Sequence, residues 1–490
     1  MSTLRIVALA TGAAIVGVGG VVAINTARFG DEPTRDNATI KIAPAPAFDI
    51  NDAANHLGEA IRFQTVSHQN PAENDKRQWA GFQTWMVETY PLAHRAMTRE
   101  VIGGALYYTW LGSDTSLKPI ILMAHHDVVP VTPGTDADWK HPAFSGLRAD
   151  NAVWGRGAVD DKGSLVGLFE ALEALARDGF KPRRSVIIVS GHDEEAGGSG
   201  AQAVAETLAA RKIKAEFTID EGSATLLDAP VINGPAILIG VAEKGYATLK
   251  VTANATGGHS SMPPKQTGVI TLAMALIAIN DAPFPLELRG PGADMLRSLS
   301  ARGDIKTRIA MANPWLFNSM TTRTIGNTPS GAALLHTTIA PTMLQGSPKE
   351  NVLPQSASGL INYRIAPWNS SADIMAQAKA AVATMPVTLA WTSPPREPSQ
   401  ISSTTSRGWQ LIAQIAAHEV SGAPVAPYLV VAGTDSRSFS QVSEDVYRYM
   451  PVQLTLSQTA IIHGTNEHIS INNLSHMVKF YAQLVATAAR

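Results

Sequence analysis

Residues 120–131 read IILMAHHDVVPV and residues 153–164 read VWGRGAVDDKGS. The apolar run Ile120–Ala124 has the length of a strand and stops at His125-His126-Asp127. Asp160-Asp161-Lys162-Gly163 opens the segment Ser164–Ala176, whose Leu165, Leu168, Phe169, Leu172 and Leu175 recur with helical period. Further along, Ser185–Ser190 (SVIIVS) has the β-branched composition of a strand buried on both faces of a parallel sheet. It ends in Gly191-His192-Asp193-Glu194-Glu195, and Phe217–Ile219 ends in Asp220-Glu221-Gly222. Strands alternating with helices predict an α/β fold, a mixed and mostly parallel sheet with helices on both faces. Such sheets place their chemistry outside the carboxyl ends of the strands, where these histidines and acids fall.

Around that centre, Asp49–Phe63 and Asp75–Tyr90 read as helices, and Arg99–Ile102 and Ala105–Leu111 as strands. The character changes at Glu243-Lys244-Gly245. Tyr246–Ala253, His336–Met343, Ser358–Ile365 and Val387–Trp391 read as strands, and Val269–Ile279 and Ser371–Ala383 as helices. This β-α-β-β-α-β order predicts a smaller α+β sandwich with one antiparallel sheet. Asn280–Ser330, rich in Pro and Gly, reads as irregular. Gly408–Val420 restarts a helix, Tyr449–Leu454 is strand-like, a loop holds His463, and Leu474–Ala488 closes the chain as a helix. The expected layout is a catalytic domain in two parts, 49–243 and 396–490, interrupted by a smaller domain at 244–395.

The chain has 490 residues, more than one ordinary core accommodates. It is 45% hydrophobic and 16% charged, a globular composition. A net charge of −2 without a long basic run argues against nucleic acid as a partner. No cysteine is present, which excludes disulfides, thiol catalysis and thiolate-bound metal. Any metal must therefore be held by His, Asp and Glu, which suits zinc or another borderline-to-hard divalent ion.

Ile6–Ile24 is a charge-free, mostly apolar run between Arg5 and Arg28. It exceeds the apolar core of a secretory signal, about 7–15 residues, and approaches the roughly 20 residues that span a bilayer. The expectation is an N-terminal membrane anchor, or else a cleaved signal, within residues 1–29, followed by a linker at 30–48. Either places the catalytic part outside the cytoplasm.

His125, Asp160, Glu195, Asp220 and His463 all lie just beyond apolar runs. Each of these features alone has a plain structural explanation, such as helix capping by Asp160-Asp161. Together they can satisfy two divalent ions about 3.5–4 Å apart, which need a bridging carboxylate and further ligands on each side. Asp127 can accept the second ring N–H of His125 and fix its tautomer. Glu194, beside a ligand, is placed to act as general base. Gly155-Arg156-Gly157 lacks the third glycine of a dinucleotide fingerprint, and Gly197–Gly200 is not followed by Gly-Lys-Ser/Thr.

The motifs AHHDVVP, GRGAVDDKG, GHDEEAGGSGA, DEG, GGHSSMPP, NVLP, NYRIAP, GTDS and HGTNE resemble those of the co-catalytic zinc peptidases that include carboxypeptidase S, aminoacylase and the N-acyl amino acid hydrolases. The carboxypeptidase S branch is the one most similar, over roughly residues 49–490. The resemblance implies two zinc ions per subunit, bridged by Asp160, with His125, Glu195, Asp220 and His463 as further ligands and Glu194 as base. It implies that 244–395 is a lid or dimerisation domain, through which a homodimer forms. His259 on that lid would approach the oxyanion, often from the partner subunit. Asn351 and Arg364 would contact substrate, Arg364 gripping a free carboxylate. Thr434-Asp435-Ser436 resembles a substrate-side loop. The implied reaction is hydrolysis of an amide next to a free carboxylate, releasing a C-terminal residue or splitting a dipeptide. The alternative is an N-acyl amino acid substrate. A non-catalytic binding protein on the same scaffold would have lost a ligand or the base, and none is lost.

Overall fold

The computed structural model describes residues 3–30 and 39–490, with side chains from residue 16 onward in the first segment. The central sheet has ten strands. Its order is Thr98–Ile102, Ala105–Trp110, Val186–Ser190, Ile120–Met123, Ala215–Asp220, Ser443–Arg448, Gly234–Glu243, Thr225–Ala229 and Gln453–Leu454, with Val425–Val430 also beside Gly234–Glu243. Ile120–Met123 runs parallel to both Val186–Ser190 and Ala215–Asp220. Their carboxyl ends therefore open at one edge, and the loops that follow must meet there.

The two-residue period of these strands sorts their side chains between layers. Ile120, Leu122, Val186 and Ile188 pack with Phe169, Leu172, Phe480 and Leu484 of the helices Lys162–Arg177 and Ile471–Ala488. Ile121, Met123, Ile187 and Val189 pack on the other face with Val204 and Leu208 of the helix Ser199–Ala210. The strands are buried on both sides, as their β-branched composition requires. The fold is the expected α/β sheet with helices on both faces.

A separate antiparallel sheet has the order Thr338–Gln345, Ser356–Ile365, Gly245–Asn254, Val387–Trp391. The helices Gly268–Asn280 and Ser371–Ala381 cover one face, around Leu249, Val251, Leu272, Ile361 and Ile374. Thr338–Gln345 is an edge strand whose Met343 and Leu344 are 63% and 74% exposed.

Two sequence expectations are corrected. Asn280–Ser330 is not irregular: it contains the helices Gly290–Ser300, Ile305–Ala312 and Pro314–Gly326, with Pro329–Leu335 following. Pro291, Pro314 and Pro329 stand at the first or second position of their helices, where the missing N–H costs nothing. Met295, Leu296 and Leu299 pack against Leu238, Ala426 and Leu429 of the central sheet.

The second correction concerns the N-terminus. Thr3–Arg28 is a helix, but among the described residues no helix is long and apolar enough to cross a membrane. The polar end of the run is engaged elsewhere: Asn25 donates to Asn313, 3.0 Å away, and Arg308 donates to the carbonyls of Thr26 and Phe29. The expected membrane anchor is thereby overturned, and the extracytoplasmic placement inferred from it loses its support. Of the expected linker, residues 31–38 lie outside the described residues.

Candidate metal centre

His125 follows Ile120–Met123, Glu194 and Glu195 follow Val186–Ser190, and Glu221 follows Ala215–Asp220. Parallel pairing of these strands gathers the side chains at one edge. Asp160 arrives from the loop before the helix Lys162–Arg177, and His463 from the loop after Gln453–Leu454. One Asp160 oxygen lies 2.9 Å from His125 Nε2 and the other 2.9 Å from His463 Nε2. Glu195 Oε1 lies 3.0 Å from His463 Nε2. Donor atoms of His125, Asp160 and Glu221 lie within 4.8 Å of one another, and so do those of Asp160, Glu195 and His463. Asp160 belongs to both groups and offers one oxygen to each, the geometry of a bridging carboxylate. Glu194 stands with His125 and Glu195 in a third such group.

The electrostatics fit a cation. Burial pushes the Glu194 and Glu221 carboxyls well above the usual range, with neighbouring acids adding to it. Burial alone would lower His125, but Asp127 and Asp160 hold it well above its ordinary value. His463 is raised to about 10 by its contacts with Asp160 and Glu195. Buried carboxylates crowded around two imidazoles carry an excess of negative charge, which a divalent ion neutralises.

Asp127 is fully buried and faces His125 Nδ1 across 3.3 Å. It also accepts hydrogen bonds from Ser67 Oγ and from the backbone N–H groups of Glu194 and Glu195. His125 Nδ1 also lies 3.1 Å from the Asp127 carbonyl, so Asp127 orients His125 through both groups while its carboxylate fixes the Glu194-Glu195 turn. His126, next to His125, is buried, stacks on Phe82 at 5.4 Å, and has Nδ1 2.8 Å from Ser190 Oγ. It does not face the centre.

The sequence set differs from the geometry at Asp220. Its carboxylate accepts the Ser436 N–H at 2.9 Å, and Glu221 stands in its place among the gathered donors. Glu467 and Arg156 were not singled out. Glu467 accepts from Arg156 and from the N–H groups of Gly157, Val159 and Asp160, and Arg156 donates to the His463 carbonyl. This buried pair ties the loops of Asp160 and His463 together. Its only sequence signal is membership of the HGTNE and GRGAVDDKG motifs.

Two cavities meet at Glu194 and Glu195. One, about 380 Å³, is lined by Lys244, Tyr246, Arg364, Arg396 and Arg437. Arg364 stacks over the Tyr246 ring at 4.8 Å. The other, about 480 Å³, is lined by Leu226, Leu238, Tyr428, Met450, Leu454 and Ile462, and reaches Asp160, Glu221, Thr434 and His463. Leu238 and Tyr428 in its wall pack into the cluster containing Met295, Leu296 and Leu299. Thr434 Oγ1 donates to Glu243 and contacts Ser436 Oγ, while Asp435 is buried behind the Gly191 and Gly198 turns. Asp435 and Ser436 line neither cavity. His259 and Asn351 are also not brought to the centre. Gly258–His259 pairs with Val352–Leu353 in an exposed two-stranded ribbon, where His259 Nδ1 contacts Ser261 Oγ at 2.8 Å. The Asn351 carbonyl accepts the Ser260 N–H there.

Comparison with known proteins gives a consistent result. Residues 121–487 match the family model described as peptidase family M20/M25/M40. The chain is 33% identical to the "Probable carboxypeptidase S-like 2" of Dictyostelium discoideum, over 96% of this chain and 92% of that one. It is 36% identical to the "N-fatty-acyl-amino acid synthase/hydrolase PM20D1" of Xenopus tropicalis, over 88% and 84%. The M20 family metallo-carboxypeptidase Sso-CP2 of Sulfolobus solfataricus shares the fold, with a TM-score of 0.65 at 17% identity, covering 89% of this chain and 98% of that one.

Proposed function

The chain belongs to the M20 peptidase family, a family of metal-dependent hydrolases, and on that premise we propose that it cleaves the amide between an apolar acyl group and an amino acid with a free carboxylate. The observation that carries this reading is the junction at Glu194 and Glu195. On one side lies a charged cavity of basic and acidic side chains whose arginines suit a carboxylate, and on the other an apolar cavity suited to an acyl chain.

The ions are two zincs in this reading. His125, Asp160 and Glu221 would hold one, and Asp160, Glu195 and His463 the other, all hard or borderline donors. The bound metal supplies Lewis acidity toward the scissile carbonyl and an acidified water. The chain's own groups do the rest. Glu194 takes the proton from water and returns it to the leaving amine. Asp127 holds His125 in one tautomer through Nδ1. Arg364 grips the free carboxylate. Within residues 244–395, the antiparallel sheet with the helices Gly268–Asn280 and Ser371–Ala381 acts as the lid, and His259 reaches the oxyanion of a neighbouring copy. The exposed edge strand Thr338–Gln345 and the outward Ile270, Met274 and Ile277 of Gly268–Asn280 support a homodimer through that face.

Release of a C-terminal residue from a peptide is the second reading, favoured by the carboxypeptidase S-like relatives. Both readings share every step at the amide and differ only in the group occupying the apolar cavity. The test is to offer zinc-loaded protein N-oleoyl-leucine, leucyl-leucine and a blocked peptide ending in leucine. Leucine release is followed by mass spectrometry with and without chelator. Chelator-sensitive release from N-oleoyl-leucine is expected. Release from the peptides alone would replace the acyl reading with the carboxypeptidase one.

A further inference from the structure

The first cavity is lined by four basic side chains, Lys244, Arg364, Arg396 and Arg437, and by four acids, Glu194, Glu195, Glu243 and Glu397. Arg364, Arg396 and Arg437 all line it beside Glu194. Among the described residues, the side-chain hydrogen bonds of Arg396 and Arg437 go to a single acceptor, the Gly197 carbonyl, at 3.4 Å each. Bonds of that length are marginal for guanidinium groups. The carboxylates of the same cavity are already engaged. Glu243 accepts from Arg448 at 2.7 Å and from Thr434, and Glu397 accepts from the Ser371 backbone and hydroxyl. Glu194 and Glu195 turn toward the histidines of the centre.

Position separates the arginines. Arg364 belongs to the antiparallel sheet, on Ser356–Ile365, and lies against Tyr246. Arg437 belongs to the central domain, in the short helix Asp435–Gln441, and approaches the Gly433 turn. Arg396 lies on the return segment, where its backbone exchanges hydrogen bonds with Tyr246. Arg396 and Arg437 converge on Gly197 from these two sides. Like-charged groups brought together at the mouth of a partly desolvated cavity are stabilised when an anion joins them.

We infer that Arg396 and Arg437 form a second anion subsite, which binds the side-chain carboxylate of an acidic amino acid while Arg364 holds its α-carboxylate. The preferred head group is glutamate or aspartate. This deepens the proposed amide hydrolysis and rests on it for the placing of the substrate.

The test compares N-oleoyl-glutamate with N-oleoyl-glutamine, which match in shape and acyl chain and differ by one charge. The unmodified protein is expected to prefer the glutamate compound by about tenfold in kcat/KM. Arg437→Gln and Arg396→Gln should each remove most of that preference, leaving the glutamine compound within about twofold. Arg437→Lys should restore part of it, because charge remains while the fork is lost. Unchanged melting temperatures and zinc content would certify the variants. Equal turnover of the two compounds by the unmodified protein overturns the inference. So does an equal fall for both in Arg437→Gln and Arg396→Gln, which would assign the pair to the α-carboxylate. If no N-oleoyl amino acid is turned over, the reaction reading has failed, and calorimetry with free glutamate and glutamine decides the subsite by itself. Tighter glutamate binding that Arg437→Gln removes supports it, and equal binding overturns it.

Discussion

The strand-end cluster and the ribbon carrying His259 are built in opposite ways. At the cluster, His125, Asp160 and His463 are each held by more than one contact. Asp127 holds both His125 and the Glu194-Glu195 turn, and Glu467 holds both the Asp160 loop and, through Arg156, the His463 loop. At the ribbon, His259 is exposed, and among the described residues its side chain hydrogen-bonds to Ser261 alone. One chain therefore gathers the candidate metal donors by itself. It leaves His259 away from that cluster, on an exposed ribbon. The difference teaches that the strand-end cluster is gathered by contacts within one chain, while His259 lies outside those contacts.

The largest expected effect breaks the first half of that contrast. Glu194→Gln should lower kcat by about 10³ with zinc content intact, and elemental analysis beside steady-state kinetics checks both. Near-normal turnover would remove Glu194 as the base. His259→Ala probes the second half. It should lower kcat by about 10² without changing zinc content or melting temperature. Mixing it with Glu194→Gln sharpens the point: recovery of activity from two inactive variants is expected if His259 serves the neighbouring copy. No recovery after subunit exchange would place its action within one chain.

A smaller effect separates two adjacent acids. Glu221→Gln should weaken zinc binding at least about tenfold, while Asp220→Asn should retain it, by titration against a competing chelator. The reverse result would restore Asp220 to the ligand set. The smallest effect concerns the edge strand. Leu344→Asp should shift the protein toward monomer in analytical ultracentrifugation with less than about 0.5 kcal/mol change in folding stability, because Leu344 is 74% exposed. Unchanged oligomeric state would move the dimer interface elsewhere.

Much of the centre was legible because apolar runs announce buried strands and their ends announce chemistry. His125, Glu194 and Glu195 follow from that rule. Asp220 and Glu221 do not separate by it. Adjacent residues at a strand end face opposite ways, and which of them faces the metal depends on where the strand twists out of register. Here the Ser436 N–H claims Asp220. The helices after Asn280 were hidden because prolines that usually signal irregular chain stand at helix starts. The N-terminal run misled for a different reason. Its local hydrophobicity is real, but the partners of Asn25 and Thr26 lie on Arg308 and Asn313, far along the sequence. Arg396 and Arg437 carried no motif of their own, and only the cavity brings them together.

The clamp made by Glu467 also constrains the order in which the protein can be born. The N–H groups of Gly157, Val159 and Asp160 receive their acceptor from Glu467, 307 to 310 residues later in the sequence. A ribosome that has made the whole sheet edge with His125, Asp160, Glu195 and Glu221 has still not made the loop that fixes Asp160 or the imidazole of His463. Up to that point the cluster has the donors of His125, Asp160, Glu195 and Glu221, but neither the acceptor that anchors the Asp160 loop nor the imidazole that Asp160 and Glu195 share.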